Sequence, residues 1–193
     1  MNYPEYVKVD DKLYKINTDF RAAIKCNEIA QDNSINDIER ALGIIYTLFG
    51  DDGINTPEHY EMLLKKAKKY LSCDEEIKTN EEEPDMDFLQ DYGLIWVSMY
   101  SDYNGLDIDK EQIHWWKFMD LMNGLSNSEM GNCCALNRVR NLRNYDLKDI
   151  KDPKERKKII DAKKQVALKK NKKKATKEEL KSADEFLKNL GVI

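Results

Sequence analysis

Histidines are the residues with which this chain could most readily perform acid–base chemistry, and they are few. His59 and His114 are the only two histidines among 193 residues. A catalytic histidine needs a nucleophile or a carboxylate held against its ring, and no Ser/His or Cys/His motif is visible near either one. We therefore interpret both histidines as packing or surface residues and predict that the protein is not an enzyme.

Metal and nucleotide chemistry are also poorly represented. The two acidic runs, Asp51-Asp52 and 81–83, lack the alternating ligand spacing of an EF-hand loop. None of the four cysteines forms a CxxC pair, which disfavours a zinc site and a secreted disulfide framework. The phosphate-binding patterns GxxxxGK(S/T) and GxGxxG are absent. The sequence thus predicts free thiols, no metal and no cofactor.

The strongest charge feature is a lysine-rich stretch near the C-terminus. Fifteen basic and six acidic residues lie between Lys148 and Lys181, although the whole chain has a formal net charge of −4. Because lysine outnumbers arginine here and no aromatic residue is interleaved, we interpret 154–174 as an amphipathic helix docked on this protein or on a partner. Nucleic-acid contact is the alternative, since lysines neutralise phosphates. That contact would use Lys169, Lys170, Lys172, Lys173 and Lys174.

The elements that must position these residues are mainly helical. Alternating apolar residues predict a β-hairpin over 6–16 with Asp10-Asp11 at its turn. Helical spacing and capping residues then predict six helices. These run over 18–31 after Asn17 or Thr18, from a Ser34/Asp37 cap to Gly50, from Thr56 to Leu71, over 88–103, over 109–122, and over 127–142 after a Ser126/Glu129 cap. A basic helix from Asp152 and a short helix from Thr176 follow.

Composition bounds the class of protein. Charged residues make up 35% of the chain and apolar residues 41%, with only 8 glycines and 4 prolines, as expected of a helix-rich domain. We predict a helical domain with an N-terminal hairpin over 1–147 and a basic C-terminal helical segment over 148–193. The polar start, and the lack of an apolar run near the roughly 20 residues of a membrane span, predict a protein that stays where it is made.

Aromatic side chains are the best candidates for contacting another protein. Trp115 and Trp116 are adjacent, and neighbouring residues on a helix point about 100° apart. They cannot share one narrow buried stripe, so we expect one of them at the surface or in an interface, where tryptophan is enriched. The predicted partner-binding residues are Trp96, Trp115, Trp116 and Phe118.

Three motifs resemble those of the bacteriophage gene-product-fifteen family, found in phages and prophages of Gram-positive hosts. Ile16-Asn-Thr-Asp-Phe-Arg21, after the short hairpin, resembles the opening of that family. Ile113-His-Trp-Trp-Lys-Phe118, followed by Leu121-Met-Asn-Gly-Leu125, is similar to its central signature. Arg143-Asn-Tyr-Asp-Leu147 lies where the family carries a short motif before its basic helix. Asp10-Asp11 departs from the Asp-Gly turn that the resemblance leads us to expect.

The resemblance implies a place in tail assembly, because members are typically encoded among tail genes near the tape-measure gene. It implies a non-enzymatic tail assembly chaperone or accessory tail protein of the host cytoplasm. Its partners would be the tape-measure and tail-tube proteins, and a homo-oligomer is compatible with the same surfaces. Such a chaperone would cover the apolar stripe of the long tape-measure helix by helix-in-groove packing.

Overall fold

The fold is mainly helical with one small β-hairpin, as predicted. The computed structural model describes residues 3–75, 84–127, 133–148 and 150–169. They divide into two compact units, each with its own core. Unit 1 contains 3–75 and 112–119, and unit 2 contains 84–111, 120–127, 133–148 and 150–169. The boundary predicted between residues 147 and 148 stays a prediction.

The hairpin opens unit 1. Strands β1 (Tyr6–Val9) and β2 (Lys12–Lys15) pair antiparallel with Val9 opposite Lys12, so Asp10-Asp11 is the two-residue turn that the sequence predicts. Asp10 has a φ of 50°, a left-handed conformation that aspartate tolerates better than most residues. Val9 and Tyr14 are buried on the inner face, and Ile16 follows them into the core.

Three α-helices follow the hairpin within residues 3–75 of unit 1: α1 (Phe20–Gln31), α2 (Asp37–Ile54) and α3 (Tyr60–Leu71). The N-caps predicted for the first two helices, Asn17 or Thr18 and then Ser34, are wrong. Asp19 caps α1, because its carboxylate accepts from the Arg21 amide. The cap of α2 is a capping box of Asn36 with Glu39, whereas Ser34 bonds back to Asp32 in a local turn.

Gly50 and Pro57 shape the end of α2 and the start of α3. Gly50 has a φ of 61° and kinks α2, which resumes to Ile54 instead of ending there. Pro57 begins a 3₁₀ turn, Pro57–His59, that leads directly into α3. The predicted Thr56 cap does not form, since its hydroxyl donates to Asp52 O and accepts from the Lys12 ammonium.

The remaining helices are α4 (Tyr92–Asp102), α5 (Trp115–Asn123), α6 (Ala135–Asn144) and α7 (Pro153–Val166). The first two start later than predicted. Asp87 accepts from the Leu89 and Gln90 amides, which fixes a turn before α4. Residues before Trp115 are extended because Ile113 O accepts from the Phe20 amide. In α5, residues up to Met119 belong to unit 1 and those from Asp120 to unit 2.

The predicted start of the sixth helix at Ser126 is wrong. The Ser126 hydroxyl donates to the Asp102 carboxylate at 2.8 Å, and Cys134 occupies the N-cap of α6 instead. The start of α7 is as predicted, with Asp152 as its cap and Pro153 in its first turn. The predicted helix from Thr176 lies outside the described residues.

Helix α7 docks on α6 within unit 2. The Arg143 side chain donates from Nε to Val166 O at 2.7 Å, and Lys163 Nζ donates to Tyr145 O at 2.7 Å. The apolar residues of α7, including Ile159, Ile160 and Val166, are half-buried. Within the ranges described above, no helix is long and apolar enough to cross a membrane.

Candidate partner-binding surface

The two main sequence motifs meet in the core of unit 1. Asp19 and His114 form an antiparallel β-bridge. The Phe20 amide donates to Ile113 O at 2.9 Å, and the Trp115 amide donates to Thr18 O at 2.7 Å. The rings of Phe20 and Phe118 stack at a centroid distance of 4.4 Å, and both side chains are fully buried. The two motifs are therefore the two halves of one packing contact.

The adjacent tryptophans both stabilise the end of α3. The indole N–H of Trp115 donates to Leu71 O at 3.0 Å, and that of Trp116 donates to Tyr70 O at 2.9 Å. These carbonyls belong to the last turn of α3, where acceptors lack partners within the helix. Trp115 is 5% exposed, and Trp116 is half-buried against the Tyr70 ring.

This placement separates the predicted partner-binding residues of unit 1 into two kinds. Trp115 and Phe118 are buried in the core of unit 1. Trp116 keeps part of its side chain at the surface. The geometric expectation that adjacent tryptophans differ in burial holds, and partner contact by these residues stays a prediction.

Both histidines take part in local contacts. His114 Nδ1 accepts from the Trp116 amide at 3.1 Å, so its Nε2 carries the proton donated to Pro4 O at 3.0 Å. His59 Nδ1 lies 2.7 Å from the Tyr14 hydroxyl and its Nε2 lies 3.3 Å from an Asp10 carboxylate oxygen. Throughout the described residues, no group of three or more His, Cys, Asp or Glu side chains could hold a metal ion.

An exposed apolar stripe follows α4 in unit 2. Its members recur at helical spacing, starting in the turn before the helix. We call the following residues the α4 stripe: Leu89, Gly93, Trp96, Val97 and Tyr100. Leu89 is 52% exposed, Val97 40% and Tyr100 47%. A Cβ at Gly93 would meet no atom within 4 Å, so the stripe has an open notch in its first turn. An apolar face of this kind is a candidate surface for contact with another molecule.

An acidic loop borders the stripe. We use that name for residues 107–111, which contain Asp107, Asp109 and Glu111 beside a single cation, Lys110. Trp96 Nε1 donates to an Asp107 carboxylate oxygen at 3.1 Å, and the Tyr92 hydroxyl donates to Asp109 at 2.6 Å. Hydrogen bonds from Lys110 and then from Trp96 lower the pKa of Asp107, which keeps this carboxylate ionised.

The stripe is held on a rigid support. Ile95 and Met99, on the opposite side of α4, are fully buried. The Ser98 hydroxyl donates to Leu94 O at 2.6 Å and accepts from the Leu136 amide at 3.0 Å, which ties α4 to the first turn of α6. The Trp96 and Tyr100 rings stack at 5.1 Å, so the aromatic part of the stripe is preorganised.

Sequence reasoning identified one of these residues and missed the others. Trp96 was predicted, while Leu89, Val97 and Tyr100 were not assigned to a binding surface. The available signal was that α4 is apolar on nearly all sides, which leaves some of its apolar residues exposed unless the helix is fully surrounded.

The basic surface of α7 faces solvent. Its exposed cations are Lys154, Arg156, Lys157, Lys158 and Lys164, beside the acidic residues Glu155 and Asp161. Of the five lysines predicted to contact nucleic acid, Lys169 is described and exposed. The Lys169 amide donates to Gln90 Oε1 at 2.7 Å. Lys170, Lys172, Lys173 and Lys174 lie outside the described residues.

A buried ion pair that the sequence analysis did not predict links three parts of unit 2. Arg143 donates from both terminal nitrogens to Asp91, at 2.7 and 2.8 Å, and donates further to Asp85 O and Val166 O. Asp91 is 2% exposed. Burial alone would raise the pKa of Asp91, but hydrogen bonds from Arg143 and from the Asp87 amide lower it below its ordinary value. This explains the arginine of the third motif.

These features define a mainly helical protein with a small N-terminal hairpin, histidines used in packing, and an exposed aromatic helix face. The family model described as Bacteriophage Gp15 protein matches residues 2–168. The chain belongs to this family of bacteriophage proteins, and the resemblance noted from the motifs is confirmed. Neither a curated protein nor a solved structure matches the chain.

Proposed function

We propose that this phage protein is a non-enzymatic tail assembly chaperone or accessory tail protein. In this role it would act in the host cytoplasm by binding the tape-measure protein, or the tail-tube protein, before the tail is complete. The observation that carries the proposal is the exposed α4 stripe, whose apolar and aromatic residues have the spacing of a helix-binding face. Membership of the phage family supports the setting.

The stripe suits an amphipathic helix in shape and in chemistry. Covering an apolar surface contributes about 25 cal/mol per Å², and a helix laid along α4 would cover Leu89, Val97 and Tyr100 together. The notch at Gly93 allows the backbone of the partner to approach closely. The acidic loop beside the stripe favours a partner helix whose apolar face is flanked by lysine or arginine.

Coexpression with the neighbouring tape-measure protein tests the proposal. The wild-type chain should raise the soluble fraction of the tape-measure protein and copurify with it. Tyr100→Asp and Val97→Asp should weaken the complex at least about tenfold, since a central anchor contributes about 2 kcal/mol or more. The matched control is Tyr145→Asp, because Tyr145 is 49% exposed in the same unit but lies outside the stripe.

Two results would contradict the proposal. One is a tape-measure protein whose solubility and copurification do not change when this chain is present. The other is equal loss of binding in Tyr100→Asp and Tyr145→Asp, which would point to general damage or to another surface. Helical circular dichroism of each variant shows whether its fold is intact.

The exposed basic surface of α7 favours one alternative, a nucleic-acid-binding phage protein. Phosphate contacts by several lysines would give binding to duplex DNA that weakens steeply with salt. A fluorescence-anisotropy salt titration decides the matter. The alternative is lost if DNA does not bind at low salt, or if neutralising the C-terminal lysines leaves binding unchanged. The substitutions are Lys169, Lys170, Lys172, Lys173 and Lys174 to Gln.

A further inference from the structure

We infer that the open edge of β2 in unit 1 binds an acidic extended segment of another polypeptide, which adds to the hairpin as a third strand. This surface is separate from the α4 stripe, and the inference does not depend on the proposed tail function. It rests on three observations: the register of the hairpin, the groove beside β2, and the charges on the outer face.

The register shows which backbone groups of β2 point away from β1. Val9 pairs with Lys12 across the two-residue turn, and the Ile16 amide donates to Glu5 O at 2.8 Å. In an antiparallel pair, hydrogen-bonded positions alternate with positions whose N–H and C=O groups face outward. Leu13 and Lys15 are therefore the outward positions of β2. Within the described residues, no backbone hydrogen bond to either is found beyond the hairpin.

Asn17 is the next residue after Lys15 whose backbone groups face outward. The Asn17 amide donates to Leu48 O at 2.7 Å, so the edge runs into α2 at its C-terminal side. Beside Lys15 the two elements separate and enclose an open groove of about 640 Å³. The groove is lined by 15–17 and 46–50, with the exposed ring of Tyr46 at one wall. Gly50 contributes no side chain to fill it.

The side chains on the outer face select the sign of the partner's charge. Strand pairing places Tyr6 opposite Lys15 and Lys8 opposite Leu13 on this face. Tyr6 is 52% exposed and Leu13 64% exposed, so two apolar and two cationic side chains alternate there. Asp11 approaches Lys8 at 3.9 Å from the turn, and Lys15 has no acidic neighbour among the described ion pairs.

This pattern favours an acidic strand from a different polypeptide over a second copy of this chain. A second β2 would bring a further lysine and no carboxylate to this face, and like charges close to each other across a strand pair are destabilising. Lysine on an edge strand also opposes self-association. A strand that alternates glutamate with apolar residues would pair its amides with Leu13 and Lys15 and its carboxylates with Lys8 and Lys15.

Fluorescence anisotropy with two labelled peptides tests the inference on the full chain. One peptide alternates Glu and Val, and its control alternates Lys and Val. The Glu/Val peptide should bind, and the Lys/Val peptide should bind at least roughly tenfold more weakly because of the lysines on the hairpin. Lys15→Glu should reverse or abolish this preference, since it replaces an exposed positive charge beside the edge with a negative one.

A pair of proline substitutions separates edge pairing from general electrostatics. Leu13→Pro removes an outward N–H of β2 and should weaken binding of the Glu/Val peptide at least roughly tenfold. Tyr6→Pro, at an outward position on β1, makes the same change on the other edge without removing a lysine and should leave pairing at β2 in place. Helical circular dichroism checks the fold of each variant.

The inference is overturned if the wild-type chain binds neither peptide or does not discriminate between them. Equal weakening by both prolines in folded proteins would also overturn it, since the edge of β2 would then have no special role. If Leu13→Pro proves unfolded, the reversal of peptide preference in Lys15→Glu decides the question.

Discussion

The Arg143–Asp91 ion pair offers the sharpest test of how unit 2 is held together. The exposed fractions of the two side chains are 12% and 3%, so both charges are removed from water. Replacing Arg143 with methionine keeps much of the volume but leaves Asp91 without its bidentate partner, and Asp85 O and Val166 O without a donor. Breaking a buried pair on one side costs about 3–5 kcal/mol. We expect that loss in the free energy of unfolding at pH 7.

The pH dependence of this loss identifies its cause. In the wild type the pKa of Asp91 is lowered, so its contribution to stability is present above the ordinary aspartate pKa and is lost as the pH falls through the lowered value. In Arg143→Met, burial remains without the arginine, so the pKa of Asp91 rises. The folded variant then gains stability from protonation as the pH falls. The difference between wild type and variant should shrink from pH 7 to pH 5, by about 1.4 kcal/mol for each unit by which the pKa exceeds the pH.

Urea unfolding followed by circular dichroism at pH 7, 6 and 5 measures this difference. Arg138→Met is the matched control, because Arg138 lies on the same helix and is exposed. It should change stability by less than about 0.5 kcal/mol at every pH. A loss below about 1 kcal/mol for Arg143→Met, or a difference independent of pH, would refute the argument that a buried, unpaired Asp91 dominates.

Three further predictions follow from close contacts. Gly124→Ala should destabilise by about 1–3 kcal/mol, since a Cβ there would lie 2.6 Å from the Tyr103 hydroxyl oxygen; Tyr103→Phe in the same chain should recover part of the loss in urea unfolding. At pH 8, iodoacetamide should label Cys73 in the native protein and Cys26 only in urea, because burial raises the pKa of Cys26 to about 12; mass spectrometry locates the labels. Trp116→Phe should cost about 1 kcal/mol in thermal unfolding, since the Tyr70 carbonyl loses the indole donor and keeps the Cys73 amide.

Local signals in the sequence predicted the hairpin and the start of α7. The hairpin and its turn follow from alternation around Asp10-Asp11, and the start of α7 follows from Asp152 and Pro153. Other helix starts were predicted wrongly, some because of neighbours in the chain, as where Ser34 bonds to Asp32, and one because of a distant residue. Ser126 was predicted to be an N-cap, but its hydroxyl donates a hydrogen bond to the Asp102 carboxylate, 24 positions away in the chain.

The candidate surface was harder to predict for a related reason. An apolar spacing such as that of Trp96, Val97 and Tyr100 indicates a helix face but does not say whether another element covers it. Coverage depends on tertiary packing, which buries Ile95 and Met99 and leaves Val97 and Tyr100 exposed. Conversely, Trp115 and Phe118 were predicted to contact a partner because aromatic residues are common in interfaces; both are buried in the core of unit 1, and their contact with a partner stays a prediction.

The burial of the motif residues bears on what family membership can establish about function. Phe20, Trp115 and Phe118 build the core of unit 1, Gly124 makes room for Tyr103, and Arg143 fixes Asp91 in unit 2. A chain that keeps these residues keeps the architecture, whatever its surface carries. The stripe on α4 and the edge of β2 lie outside all three motifs, so a change of partner need not disturb the residues that identify the family. Binding must therefore be tested by substitutions at those surfaces, since substitutions of the buried motif residues would change stability together with any function the fold supports.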